Sequence, residues 1–139
     1  NVLHDQTVEV AFQVKTGKIV PNETLSLTKT GKLSRRVMTK TNYYGLIQDC
    51  VCSHAIMVAR NILALLPVQH VIVHVTDNIL NTATGYDEEI VVLSVLFDRN
   101  IINKLNFENI DPSDAMENFR HNMNHLKTKG FRAVERITE

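Results

Sequence analysis

The stretch DPSDAMENFRHNMNHLKTKG, residues 111–130, decides the fold, because reading it as a helix sets the order of everything around it. Asp111-Pro112-Ser113-Asp114 has the chemistry of a helix start. Asp111 caps the first amides, Pro112 fits the first position, and Asp114 sits near the exposed N–H groups. Met116, Phe119, Met123 and Leu126 then recur as an inward stripe, and Gly130 supplies the stop. This spacing predicts a helix from 111 to about 127 and a closing strand over 131–137.

Upstream, 68–77 alternates, with Val71, Val73 and Val75 on one face and His70, Ile72, His74 and Thr76 on the other. The segment 89–98 is apolar on both faces and reads as an interior strand. A polar connection over 78–87 joins the two, and 99–105 reads as a short helical turn. The main helix is 42–66, with Ile47, Val51, His54, Val58, Ile62 and Leu65 as its stripe and Pro67 as its end. Before it, strands at 7–15, 19–20, 25–29 and 33–38 are separated by turns at Thr16-Gly17, Pro21-Asn22 and Thr30-Gly31.

If the last of these strands is counted first, the order is strand, helix, strand, strand, helix, strand. The predicted fold is therefore α+β: an N-terminal β-meander over 1–40, then a βαββαβ, ferredoxin-like two-layer sandwich whose body is 41–139. A different α+β arrangement, in which the N-terminal hairpins extend the sheet, is the alternative. The 139 residues suit one domain. The opening Asn1-Val2-Leu3 suggests a domain excised from a longer protein.

Hydrophobic residues are 44% and charged residues 22%, a globular balance. Cys50 and Cys52 stand about 200° apart on the main helix and cannot pair with each other, which points to free thiols in a reducing compartment and a cytoplasmic location. The longest apolar run, broken by Arg60 and Asn61, is too short for a bilayer, so no membrane partner is expected. Net charge is zero but divided. Residues 1–40 carry seven Lys/Arg against three Asp/Glu, and 41–139 carry eight against twelve.

KTGK occurs twice, at 15–18 and 29–32. A phosphate loop needs several glycines and a following helix. Each copy has one glycine and β-prone residues after it, so both read as hairpin turns. Lys29, Lys32, Arg35, Arg36 and Lys40 nonetheless form a basic hairpin over 28–40 able to contact phosphates. The sheet face with Gln13, His70, His74 and Ser94 lacks the aromatic pair of an RNA-recognition sheet.

On the predicted second helix Glu117, His121 and His125 fall at i, i+4 and i+8, one patch able to hold a borderline metal, although no fourth ligand is visible. His70 and His74 lie roughly 13 Å apart along one strand, too far to share an ion. A nuclease reading has Gln13-Val14-Lys15 as one element but no converging carboxylates. Asp77, Asp87, Glu88 and Glu89 read as a solvated hairpin end, and Ser53 and Ser94 have no nucleophile motif around them.

The first functional expectation is a non-catalytic binding or assembly domain of a larger intracellular protein, without a cofactor. Its partner is another protein or a second copy of itself. The alternatives are nucleic-acid contact through the basic hairpin and a metal-dependent hydrolase or nuclease-like domain.

Overall fold

The computed structural model describes residues 2–4, 6–15, 23–27 and 31–138; of the strands at 2–4, 23–27 and 33–37 only the backbone is described. The elements are β1 (Val2–His4), β2 (Thr7–Val14), β3 (Glu23–Leu27), β4 (Leu33–Val37), α1 (Lys40–Leu65), β5 (His70–Asn81) and β6 (Tyr86–Asp98). They continue with α2 (Arg99–Lys104), α3 (Pro112–Ala115), a 3-10 turn (Met116–Asn118), β7 (Arg120–Leu126) and β8 (Gly130–Arg132). Six strands form one mixed sheet in the order β1-β2-β5-β6-β7-β8, and β3 pairs with β4 as a separate ribbon.

The fold is α+β, but the sheet is not ferredoxin-like. β2 and β5 are direct parallel neighbours, with Val8 opposite Val71 and Val10 opposite Val73. In a ferredoxin-like sheet another strand separates the pair joined by the first helix. Parallel neighbours need a crossover, and α1 supplies it, with the β3–β4 ribbon inserted before it. The meander expected over 1–40 is therefore split: β2 belongs to the main sheet, β3 and β4 do not. The strand expected at 19–20 lies outside the described residues.

The second correction concerns 111–127. The helix start is real: the Asp111 carboxylate accepts from the amides of Ser113 and Asp114 at 3.0 and 3.2 Å. The helix ends at Ala115, however, passes through one 3-10 turn, and gives way to β7. The sequence from Phe119 also alternates, and Asn118, Asn122 and Asn124 are poor helix formers. β6 offers an edge on which that alternation pairs, Leu93 opposite Met123 and Val95 opposite His121. Sheet pairing outweighs the helical spacing. Met116 and Phe119 are still buried, the Phe119 ring edge-on to Phe97 at 4.8 Å.

α1 begins at Lys40, two residues before the expected start, with the Thr39 hydroxyl accepting from the Asn42 amide at 3.2 Å, and its last turn closes on Leu66 before Pro67. Its buried face differs from the expected stripe. Val51, Cys52, Ala55 and Ala59 are fully buried, whereas His54 is exposed and Leu65 is 81% exposed. Small side chains let the helix approach the sheet closely, so the packed face follows the alanines rather than the longest apolar residues. Register places Val71, Val73 and Val75 of β5 beside Phe97, Val95 and Leu93 of β6, all belonging to the one main core cluster with α1.

β8 is shorter than the closing strand expected over 131–137. Residues 133–138 instead run as a strap against β6 and β7. The Val134 amide donates to Val91 O, the Asn122 side chain to Glu135 O, and Arg120 to Thr138 O, at 2.9, 2.9 and 3.2 Å. The β7–β8 turn closes at Gly130, whose φ is +81°, and a Cβ there would stand 2.9 Å from the Tyr44 ring. Gly130→Ala is expected to cost about 2 kcal/mol, from the left-handed backbone and the clash together. A urea titration checks it, and an unchanged midpoint would mean the turn relaxes freely.

Candidate functional site

Among the described residues two places gather polar chemistry, one sealed and one open. The sealed one lies on the sheet face turned away from α1. Alternation puts Ile72, His74 and Ser94 on this face, since their neighbours Val73, Val75, Leu93 and Val95 face the helix. His74 and Ser94 are both 0% exposed. Ser94 Oγ lies 2.8 Å from His74 Nδ1, and Glu9 Oε2 lies 3.0 Å from His74 Nε2. The Ile137 amide donates to Ser94 Oγ at 2.9 Å.

A carboxylate oxygen accepts the hydrogen carried on Nε2, and Nδ1 shares a hydrogen bond with the Ser94 hydroxyl. The hydrogen-bonded chain runs from the Ile137 amide through Ser94 and His74 to Glu9. Serine, histidine and a carboxylate within hydrogen-bond reach are the parts of a nucleophilic relay. Here the serine is in mid-strand, fully covered by protein, and its oxygen already receives a backbone amide. No carbonyl of a substrate can approach it. The relay is a polar staple between β2, β5, β6 and the strap.

The open place is a groove of about 490 Å³ along α1. Ser53, Ile56, Met57, Arg60 and Ala64 form its helix side, and Phe107, Ile110 and Pro112 close the other. Ile56 is buried and belongs to the core, with Phe107 and Ile110 packed against that core from the loop after α2. Met57 is 50% exposed. The Arg60 guanidinium lies 4.0 Å above the Phe107 ring, and among the described residues no acidic side chain lines the groove.

The groove is electrically polar along its length. Beyond Ser53, one turn back on α1, Asp49 stands near Asp111 and Asp114. Burial first, and then the Asp111 carboxylate, raise its pKa above the ordinary aspartate value. The same surroundings push the Cys52 thiol up to about 12, chiefly through burial, so it stays protonated and inert. At the other end Arg60 borders a second cavity shared with Arg99, whose guanidinium holds Val68 O and Leu66 O, each at 2.7 Å.

The metal patch expected at Glu117, His121 and His125 does not form, because the helix that would align it is a turn followed by β7. His121 and His125 are four residues apart on a strand, roughly 13 Å. His121 Nδ1 is 3.0 Å from Phe119 O, and His125 Nε2 is 3.0 Å from Tyr44 O. Burial lowers the His125 pKa. Glu117 is exposed on the 3-10 turn. Among the described residues no three His, Cys, Asp or Glu side chains gather around a metal-sized space.

Of the basic hairpin, Lys29 lies outside the described residues. Lys32 and Lys40 are exposed, Lys40 as the first residue of α1. Arg35 and Arg36 are register partners of Leu25 and Thr24 in the ribbon. The second KTGK copy does bend at Gly31, with φ +80°, between antiparallel β3 and β4. Most of the first copy falls outside the described residues.

The nuclease elements also stay apart. Val14 is the register partner of Asp77, which puts Gln13 and Lys15 on the opposite face from that carboxylate. Asp77 is 5% exposed and so is not part of a solvated hairpin end, unlike Asp87, Glu88 and Glu89. His70 sits 3.0 Å from Asp98. Burial works to raise the Asp98 pKa. The amides of Ile101 and Asn100 that it caps, the Gln69 side chain and His70 outweigh that and hold it low.

Sequence reasoning placed His74 and Ser94 on one face but missed Glu9 as their partner, since nothing local says that β2 lies beside β5. It missed the groove because Phe107 and Ile110 sit in a loop; two large apolar residues in an otherwise polar connection were the available signal. No helix among the described residues is long and apolar enough to cross a membrane. No family model, no curated protein and no solved structure matches this chain.

Proposed function

We propose that this chain is a non-catalytic binding domain of a larger protein and that its ligand surface is the groove along α1. The observation that carries the reading is the contrast between the two polar places. Among the described residues, the constellation with the parts of a nucleophile, Glu9–His74–Ser94, is closed by the strap, with His74 and Ser94 wholly buried. The groove is open, partly apolar, and of the size that holds small ligands. A concave apolar wall with a few convergent polar groups is how a binding site differs from ordinary surface.

Two probes test this together. The dye 1-anilinonaphthalene-8-sulfonate should bind the folded protein saturably, and Ala64→Trp, which fills the groove from an exposed helix position, should remove that signal. A fluorophosphonate should leave Ser94 unmodified. Labelling of Ser94 would overturn the non-catalytic reading, and equal dye binding by wild type and Ala64→Trp would overturn the assignment to the groove.

A further inference from the structure

The geometry points to a ligand class: we propose that the α1 groove takes a small amphiphilic carboxylate, an alkyl or arylalkyl body ending in one carboxylate, with the anion on Arg60. The proposal rests on the binding reading above and adds the chemistry of the ligand.

Three features select this class. First, the groove has a direction. Ser53 and Arg60 are seven residues apart on α1, roughly 10 Å along its axis. Asp49, Asp111 and Asp114 make the end beyond Ser53 electronegative, and Arg60 makes the other end positive. An anion is repelled from one end and drawn to the other, while the walls between, Ile56, Met57 and Ile110, are apolar.

Second, Arg60 is held ready. Its guanidinium is laid over the Phe107 ring at 4.0 Å, which fixes the group without using its N–H donors. Among the described residues no carboxylate bridges to it. A guanidinium in that state presents a planar fork that matches a carboxylate with two parallel hydrogen bonds. Third, among the described residues one fork, Arg60, is the whole cationic endowment of the lining. That suits a single negative charge better than a phosphate dianion, which calls for several donors.

Titration of 4-phenylbutyrate into the ¹⁵N-labelled protein tests this, with neutral 4-phenylbutanol as the comparison. The acid is expected to shift the amides of Met57, Arg60 and Ala64 and to bind about tenfold more tightly than the alcohol. Arg60→Gln should erase that difference between acid and alcohol. Ala64→Trp should abolish both, and Met57→Trp, at a half-exposed position, serves if Ala64→Trp does not fold. Equal binding of acid and alcohol, or an unchanged preference in Arg60→Gln, would remove the anion from the proposal and leave the groove as an apolar site. If neither compound binds and the dye does not bind either, the binding reading itself falls.

Discussion

Replacing His74 with leucine is expected to destabilise the fold by about 3 kcal/mol, although leucine is the more hydrophobic residue. The substitution removes the imidazole nitrogen that stands 2.8 Å from the buried Ser94 hydroxyl, and a buried hydroxyl that loses a hydrogen-bond partner costs about 1–3 kcal/mol. It also withdraws the imidazole N–H from the Glu9 carboxylate, 3.0 Å from Nε2, and sets hydrocarbon against a charge. Chemical denaturation gives the loss directly. The second readout is the double variant His74→Leu with Ser94→Ala, which removes both ends of one hydrogen bond. It should be less destabilised than the sum of the single variants, because no hydroxyl is then stranded. A loss below about 1 kcal/mol in the single variant would mean the staple does not hold the far face of the sheet.

Phe97→Ala is expected to cost about 3–5 kcal/mol, the range for emptying a fully buried aromatic site. Phe97 is 0% exposed, lies opposite Val71 on β5, and meets the Phe119 ring at 63° and 4.8 Å. The lost area and the cavity account for most of the figure. The edge-to-face contact adds about 0.5–1.5 kcal/mol that should appear as coupling in a cycle with Phe119→Ala. Urea unfolding with an unchanged slope would assign the loss to the native state. Additive effects of the two substitutions would show that the rings are neighbours without being partners.

What was legible in the sequence is what local chemistry decides. The Pro67 boundary of α1, the alternation of β2 and β5, the double-sided burial of β6, and the cap at Asp111 could all be read from neighbours in the chain. What was not legible depended on segments far apart. Residues 119–126 fit a helix by the spacing of Phe119, Met123 and Leu126, and a strand by the alternation of His121, Met123 and His125. The free edge of β6 chose between them, and an edge is a property of the assembled sheet. The face of α1 was misjudged for a related reason. Hydrophobicity favours Leu65 over Ala55, but a helix laid on a sheet is positioned by closeness of approach, which favours Ala55, Ala59 and Cys52. The sealed relay required β2 to stand beside β5 and the strap to cross behind β6, neither of which leaves a local mark.

β5 and β6 also continue past the rest of the sheet. Their pairing runs on from Asn78–Glu89 to Asn81–Tyr86, whereas β2 ends at Val14 opposite Asp77 and β7 reaches only as far as Met123 opposite Leu93. Ile79, Leu80 and Tyr86 are exposed there at 38%, 56% and 76%. Such a tip is an unfinished sheet, a template on which another extended chain can crystallise its own hydrogen bonds. Asp87, Glu88 and Glu89 lie along that rail with no lysine or arginine between residues 78 and 89. Carboxylates placed directly opposite their own copies repel, so this row of acids opposes pairing of one tip with another. That repulsion weakens where salt screens it.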